Sequence, residues 1–220
     1  MKYLGPLMLG IAGVAVLLWL GVWQLQRLEW KEGVLAEIDA RIGAEPVTLP
    51  QTPVPEADRY LPVSATGTPV GDPLRVLVSV KGTGAGHRLI QAFETEGRRV
   101  MLDRGFLRDG AQWGAPEGSL AVVGNLHWPD EVDSFTPDPS GDLWFARDVP
   151  AMAEELDTEP VLIIARNLSP ADTNVTPLPV TSEGIPNDHL EYAITWFSLA
   201  AVWAGMTAFL LWRISRRPSA

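Results

Sequence analysis

The chain has 220 residues, contains no cysteine and carries a formal net charge of −10 at pH 7. The absence of thiols excludes disulfides, thiolate metal sites and cysteine nucleophiles. The strong negative charge disfavours binding to nucleic acid, because an acidic surface repels its phosphates. A Walker loop, a dinucleotide-binding glycine fingerprint and an HExxH pair are also absent, so the sequence gives no indication of an enzyme.

The chain begins with an apolar run, residues 4–22, that contains no charged side chain. Its 19 residues are enough to cross the roughly 30 Å hydrocarbon layer of a membrane. A secretory signal peptide is the competing interpretation, but its apolar core is usually about 7 to 15 residues long and ends at a small-x-small cleavage site, which residues 21–27 lack. We therefore expect an uncleaved transmembrane anchor over residues 1–27. Because the run begins almost at Met1, leaving no room for an organelle presequence, we expect the membrane to be the bacterial inner membrane.

Residues 28–59 are predicted to form a helical stalk followed by a proline-rich linker. Apolar residues continue at helical spacing as far as Gly43, and glycine commonly follows the last turn of a helix. Prolines then recur from Pro46 to Pro62 and are expected to keep this segment extended. The folded domain is therefore expected to begin near Tyr60.

Residues 60–186 are predicted to form a β-rich domain. Short runs of β-branched and apolar residues alternate with Gly, Pro or Asp turns, and only the segment 150–156 has helical character. Without a crossover helix between successive strands, this pattern favours an antiparallel sheet or a small open barrel over a parallel α/β fold. A proline- and threonine-rich strap, 169–186, is expected to be ordered but irregular. The predicted strands are 60–66, 74–80, 87–93, 99–107, 119–126, 143–146 and 161–167.

A second transmembrane helix is predicted over residues 187–212, because no residue from Tyr192 to Trp212 carries a formal charge. Pro186 precedes it. Asp188 is the expected N-cap residue, and Glu191 three positions later completes an arrangement that resembles a capping box.

Charge along the chain predicts the orientation in the membrane. All 27 acidic residues lie between Glu29 and Glu191, a stretch that holds 12 basic residues and has a net charge of −15, whereas the tail 213–220 is purely basic. Lys and Arg favour the cytoplasmic side, so both termini are expected in the cytoplasm and the acidic domain in the periplasm. The fold class predicted is a membrane protein of α+β type, with two transmembrane helices flanking an extramembrane antiparallel β-rich domain.

His189 is the best candidate ligand, because it lies in the first turn of the second predicted span. The positive end of the helix dipole disfavours a second positive charge there, which keeps the imidazole able to donate a lone pair to a metal. Tyr192, Trp196 and Trp203 follow it along the same helix face. Such a face suits a flat apolar cofactor, but also packing against a neighbouring helix, and an interfacial histidine also serves as a membrane anchor. Spacing does not separate these interpretations.

The remaining histidines, His87 and His127, have no second ligand nearby in the sequence and are predicted to be structural. Small residues in the two spans predict close approach of the two helices as an antiparallel hairpin. These small residues are Gly10, Ala12 and Gly13 in the first span and Ala201, Ala204, Gly205 and Ala208 in the second.

Three segments resemble the Surfeit locus protein family of cytochrome oxidase assembly factors. They are Gly21-Val22-Trp23-Gln24-Leu25-Gln26-Arg27 with the following Trp30-Lys31, then Asp103-Arg104-Gly105-Phe106, and Asn187-Asp188-His189-Leu190-Glu191-Tyr192-Ala193-Ile194-Thr195-Trp196-Phe197. The layout of two spans with an intervening β domain extends the resemblance to the whole chain.

The resemblance implies a non-enzymatic role in making haem–copper oxidase. It implies that His189 is the axial ligand of haem a, bound transiently, with Trp196 and Tyr192 beside the macrocycle. Arg27, which shares a helix face with Trp23, is then a candidate partner for the propionates, or else an interfacial side chain that extends to the headgroups. The implied partners are oxidase subunit I, haem A synthase and membrane lipid.

Two other hypotheses stay open at this stage. The chain is alternatively a structural module that scaffolds oxidase subunit I or haem A synthase without binding a cofactor. An enzyme of haem modification is less consistent with the sequence, because such chemistry is expected to need several histidines on more membrane helices. The source of a second axial ligand, and with it a homo-oligomer, is left undecided.

Overall fold

The computed structural model of the chain describes residues 3–116 and 118–216. The chain divides into two compact units: Met1–Glu37 together with Ser182–Ala220, and Ile38–Thr181. We call them the helical unit and the β unit. Lys2 and part of the predicted basic tail 213–220 lie outside the described residues. In chain order the elements are α1 (Leu4–Ile42), β1 (Val47–Thr48), α2 (Pro55–Asp58), β2 (Pro62–Val80), β3 (Gly84–Thr95), β4 (Arg98–Arg108), β5 (Leu120–Leu126), β6 (Leu143–Trp144), α3 (Val149–Glu155), β7 (Leu162–Ser169), β8 (Val175–Thr176) and α4 (His189–Ser215).

Within the described residues, α1 and α4 are the two helices that are long and apolar enough to cross a membrane. The rest of the protein covers few of the residues in their apolar segments, whereas the core helix of a soluble protein is mostly buried. Both predicted apolar segments are therefore helical, and the predicted stalk is a continuation of α1, which ends at Ile42 as the glycine at position 43 indicated.

The helical unit is an antiparallel pair of α1 and α4. Glycines of α1 lie against larger side chains of α4, and a Cβ atom added at Gly10, Gly13 or Gly21 would meet Thr207, Trp203 and Phe197, respectively. As the position in α1 rises, the contacted position in α4 falls, which defines the antiparallel direction. Van der Waals contact of this kind is a principal source of attraction between helices in a membrane.

The predicted packing role of Gly10 and Gly13 is confirmed, but the small residues predicted for α4 are wrong. Ala201, Ala204 and Ala208 are exposed, as is Ala12 in α1, and Gly205 has open space around its Cα. The physical reason is that the glycines of α1 already provide the space for close approach, so α4 contributes aromatic and β-branched side chains to the contact. The small residues of α4 that are buried are Ala193 and Ala200.

The β unit is a mixed sheet whose pairing closes on itself. Strand β2 pairs with β3, β3 with β4, β4 with β7, β7 with β5, and β5 again with β2, so these strands form a closed barrel. The predicted antiparallel sheet or open barrel is correct for most pairs, but β4 and β7 pair in parallel, as do β1 and β6 with β2. The parallel pairing of β4 and β7 is feasible because β5, β6 and α3 lie between them in the chain and supply a long connection.

Strand β2 shows how the barrel closes. The two runs predicted as separate strands, 60–66 and 74–80, are parts of this one strand, which pairs first with β5 and then with β3. Its register shifts between Val70 and Leu74, where Gly71 has a positive φ of 70°. A bulge of this kind bends and twists a strand, which lets it serve two neighbours. The other predicted strands and the short helix near 150–156 are confirmed.

The proline-rich segment is part of the β unit, which begins at Ile38 and not near Tyr60. Strand β1 pairs with β2, and Leu49 is buried in the core. Pro55 is the first residue of the short helix α2. The predicted irregular strap likewise includes a short strand, β8, paired with β4. Both misassigned strands are only two residues long, too short to show a period of two.

Strands β4 and β7 are buried on both faces, because apolar side chains pack against each face. Alternate residues of β4 and β7 enter two clusters: Leu102 and Ile163 lie in one with residues of all the barrel strands, and Met101 and Leu162 in another with α3. This two-sided burial explains the continuous apolar runs in the sequence of β4 and β7.

A buried ionic network attaches the strap to β4. The Arg104 guanidinium donates two hydrogen bonds to the Asp172 carboxylate, and a third to Gln91 Oε1 at 2.9 Å. The side chains of Arg104 and Asp172 are 0% and 1% exposed. Next to them Gly105 has a φ of 120°, and a Cβ there would meet the backbone of Thr176. The glycine therefore lets the strap lie directly on β4.

This pair yields a stability prediction. Arg104→Met leaves the Asp172 carboxylate buried without its partner and is expected to lower the free energy of unfolding of the β unit by about 3–5 kcal/mol. Denaturant titration of the full-length protein in detergent, followed by tryptophan fluorescence, measures the change.

The matched control is Arg75→Met, which removes the same type of side chain from an exposed pair with Asp142. Exposed pairs contribute only about 0–1 kcal/mol. Equal destabilisation by the two substitutions would contradict the assignment of Arg104 as the buried anchor of the strap.

Candidate functional site

His189 is the first residue of α4, and the turn before it differs from the predicted cap. Asp188 occupies the N-cap position, but its side chain makes no capping hydrogen bond. Its ψ of 10° departs from the extended conformation that directs an N-cap side chain toward the first free N–H groups. The predicted capping arrangement of Asp188 and Glu191 is therefore wrong, although the helix begins where the sequence indicated.

The imidazole of His189 makes a hydrogen bond to α1. Its Nδ1 lies 2.8 Å from Oε1 of Gln24, whose residue is only 8% exposed. An amide oxygen only accepts hydrogen bonds, so a hydrogen bond at this contact requires the proton on Nδ1. In a neutral ring this leaves the lone pair on Nε2, which is the atom available to a metal.

The aromatic residues predicted to lie on one helix face with His189 have different surroundings in the structure. Trp203 packs over Gly13 of α1, so it serves the helix contact that was the alternative interpretation. Tyr192 is exposed, and Trp196 is half-buried. Tyr192 lies about one helical turn after His189, and Trp196 lies about two turns after it. These two aromatic residues are therefore near enough along α4 to flank a bound group.

Arg27 and Trp23 are exposed residues of α1 on either side of Gln24 in the sequence. Arg27 lies one turn beyond Gln24, about 4.5 Å further along the helix axis. Its guanidinium carbon is 4.2 Å from the centroid of the Trp30 ring, a cation–π contact that places the charge on the helix surface. The proposed propionate partner is therefore exposed at the same end of the helix pair as His189.

Gln24 is not among the site residues predicted from the sequence, although it lies in one of the three segments that carry the family resemblance. A signal was present: Gln24 is a polar side chain directly after an apolar run, and Gly21, three residues before it, lies on the face that contacts α4. The distance of 165 residues between Gln24 and His189 concealed the pairing.

Comparison with known proteins matches the chain to a family. The sequence model of the SURF1 family matches residues 11–201, which include the whole barrel, most of α1 and the first half of α4. The chain belongs to the SURF1 family. It is 30% identical to human Surfeit locus protein 1 over 83% of the chain and 69% of that protein, and 29% identical to the rat protein over 88% and 70%. A SURF1-like protein of Monosiga brevicollis is 30% identical over 87% of the chain and 82% of its own length.

The match confirms the resemblance predicted from three short segments and extends it over most of the chain. The SURF1 family functions in cytochrome oxidase assembly. The segment that contains Gln24 and the one that contains His189 both fall in the matched range.

An apolar cavity of about 490 Å³ lies between α1 and α4, at the end of the pair opposite His189. It is lined by Gly5, Gly10, Trp203 and Phe209, among others. Gly10 precedes Gln24 by 14 residues, about 21 Å along the helix, so the cavity is separate from the histidine.

The other histidines lie in the β unit. Among the described residues there is no group of three or more His, Asp or Glu side chains arranged to hold a metal ion. His127 stacks on Tyr60 with ring centroids 5.2 Å apart, and its Nδ1 is buried without a partner. Burial, followed by the positive charges of Arg147 and Arg59, lowers the pKa of His127 to about 4. These contacts favour the structural role predicted for His127.

The lowered pKa gives a prediction about acid stability. In the unfolded chain the pKa of His127 is the ordinary 6.5, so between about pH 6.5 and 4 the unfolded state binds the proton and the folded state does not. Stability therefore falls as the pH drops through this window, by about 1–2 kcal/mol after allowance for the partial exposure of the ring to water.

His127→Phe keeps a ring on Tyr60 and removes the titration, so it is expected to flatten this part of the curve. Unfolding free energies of both proteins measured at pH 7.5, 6, 5 and 4 provide the test. Curves that stay parallel across the window would show that another group causes the acid sensitivity.

Proposed function

We propose that this chain is an assembly factor for haem–copper terminal oxidase that binds haem a transiently and aids its delivery to oxidase subunit I. The observation that carries the proposal is the imidazole of His189 at the start of a membrane-length helix, with its Nδ1 at 2.8 Å from Oε1 of Gln24. This contact leaves Nε2 as the atom that would bind a metal. Membership of a family that functions in oxidase assembly supports the wider role.

The residues present fit a haem. A protein holds haem with an axial ligand, apolar contacts and partners for the propionates, and a histidine whose second ring nitrogen is hydrogen-bonded is the usual form of such a ligand. His189 supplies the ligand, Trp196 and Tyr192 supply apolar surface, and Arg27 beside Trp23 supplies positive charge. When bound, the haem contributes only its iron as the acceptor of the Nε2 lone pair, since the proposed role is transport and not catalysis.

The proposed partners are oxidase subunit I and haem A synthase, with the helices in lipid and no nucleic acid bound. The proposed location is the bacterial inner membrane, with both termini cytoplasmic and the β unit periplasmic. The basic flanks around an acidic middle support this orientation. His189 would supply one ligand to the iron, and a second copy of this chain in a homo-oligomer would be able to supply another.

Topology is tested with reporters. An alkaline phosphatase domain inserted at Asp138 is expected to be active, and the same domain fused after Ala220 inactive, because alkaline phosphatase matures only after export. A fluorescent protein that folds only in the cytoplasm should give the reverse pattern. An inactive phosphatase at Asp138 with a full-length product would overturn the orientation.

The haem role is tested with His189→Ala. The protein should insert and accumulate normally, because a side chain at the first turn contributes little to spanning, whereas its haem content should fall at least tenfold. The visible spectrum of the detergent-solubilised protein from cells that make haem A measures the content, and the same strain should assemble less active oxidase.

His87→Ala is the matched control and should retain its haem, because His87 lies in β3 of the β unit. A full Soret band in His189→Ala would favour the scaffold hypothesis, which the packing of Trp203 and Phe197 against α1 also accommodates. Loss of haem with normal oxidase maturation would show that binding is real and that its proposed purpose is wrong.

A further inference from the structure

Gln24 is a polar side chain buried in the contact of two apolar helices. A buried amide without partners costs free energy, so side chains of this kind are found where a hydrogen bond requires them. The partner recorded for Gln24 is Nδ1 of His189 at 2.8 Å. Gln26, two residues away on α1, is the same residue type but exposed.

We propose that Gln24 is the positioning residue of the His189 site: its amide oxygen holds the proton on Nδ1 and thereby presents the lone pair of Nε2 to an incoming metal centre. The tautomer is a property of the protein without cofactor, while the benefit to haem binding rests on the proposed function.

The hydrogen bond does two things for the imidazole. In water a neutral histidine side chain favours the tautomer with the proton on Nε2, which has no lone pair at that atom for a metal. The acceptor Gln24 reverses this preference, and it also fixes the rotation of the ring, since the bond is made only when Nδ1 faces α1. A residue that hydrogen-bonds to a metal-ligating histidine in this way typically raises the metal affinity about 10- to 100-fold.

A glutamine acts differently from a carboxylate in this position. Its oxygen accepts the hydrogen bond from Nδ1 without adding a negative charge, so the imidazole remains a moderate electron donor. A ligand with moderate donor strength suits a protein that must release its cargo. Gln24→Glu is therefore expected to strengthen the hydrogen bond and the donor strength of Nε2 together.

The first experiment reads the tautomer in the full-length protein without haem. The protein is labelled with ¹⁵N-histidine, purified in detergent and studied by NMR above pH 8, where exposed imidazoles are neutral, and the His189 signals are assigned by their loss in His189→Ala. The wild-type ring is expected to carry its proton on Nδ1. Gln24→Met, which has a similar volume and no acceptor for this proton, should shift it toward Nε2.

Gln26→Met is the matched control and should leave the His189 signals unchanged, and Gln24→Glu should keep the proton on Nδ1. The substitution to methionine suits an apolar helix contact, so the helix pair is expected to remain formed, and unchanged signals of His87 and His127 verify that the β unit is folded. A wild-type ring with its proton on Nε2, or signals that Gln24→Met does not move, would overturn the proposal.

The second experiment measures haem binding. Gln24→Met should weaken affinity about 10- to 100-fold, and Gln24→Glu should restore it and raise the iron–histidine stretching frequency of the reduced complex. If His189→Ala keeps its haem, the proposed function fails while the tautomer result stands. If His189→Ala loses haem but Gln24→Met binds as tightly as wild type, only the role of Gln24 is rejected.

Discussion

The close contact of α1 and α4 is the constraint on which the candidate site depends. Side chains of α4 pack over glycines at three levels of α1, and the hydrogen bond from His189 to Gln24 lies next in this series, one turn beyond Gly21. Hydrogen bonds are short-ranged, so a wider helix spacing would separate the two side chains and leave a buried amide without its partner. The glycine positions are therefore part of the candidate site, although they contribute no side chain to it.

In the β unit, buried pairs of opposite charge hold separate elements together, as the buried hydrogen bond does in the helix pair. Asp103 and Arg104 are adjacent in β4, and each is fully buried with an opposite charge from another element: Arg88 from β3 for Asp103, and Asp172 from the strap for Arg104. Such pairs are a poor source of net stability but strongly penalise any arrangement that separates them. They therefore specify where the strap lies. Arg88 adds a hydrogen bond to the carbonyl of Leu178 further along it.

The parts of the fold with a strong local signal were predictable from the sequence. The two apolar helices, the end of α1 at Ile42 and most of the strands follow from hydrophobic period and turn residues. Closure of the barrel and the parallel pairing of β4 with β7 were not predictable, because alternation of apolar and polar residues predicts a strand but not its partner. His189 stood out by its place at the start of an apolar helix, whereas the identity of its partner Gln24 depends on which faces of two distant helices meet.

The distance of 165 residues along the chain between Gln24 and His189 has a consequence in time. Ribosomes add about 5–20 residues per second, so the imidazole is made roughly ten to thirty seconds after its partner. A nascent or truncated chain that ends before α4 contains the anchor and the entire barrel, yet it has no histidine at this site. The pair of Gln24 and His189 is consequently completed last, and only in molecules whose translation and helix pairing are complete.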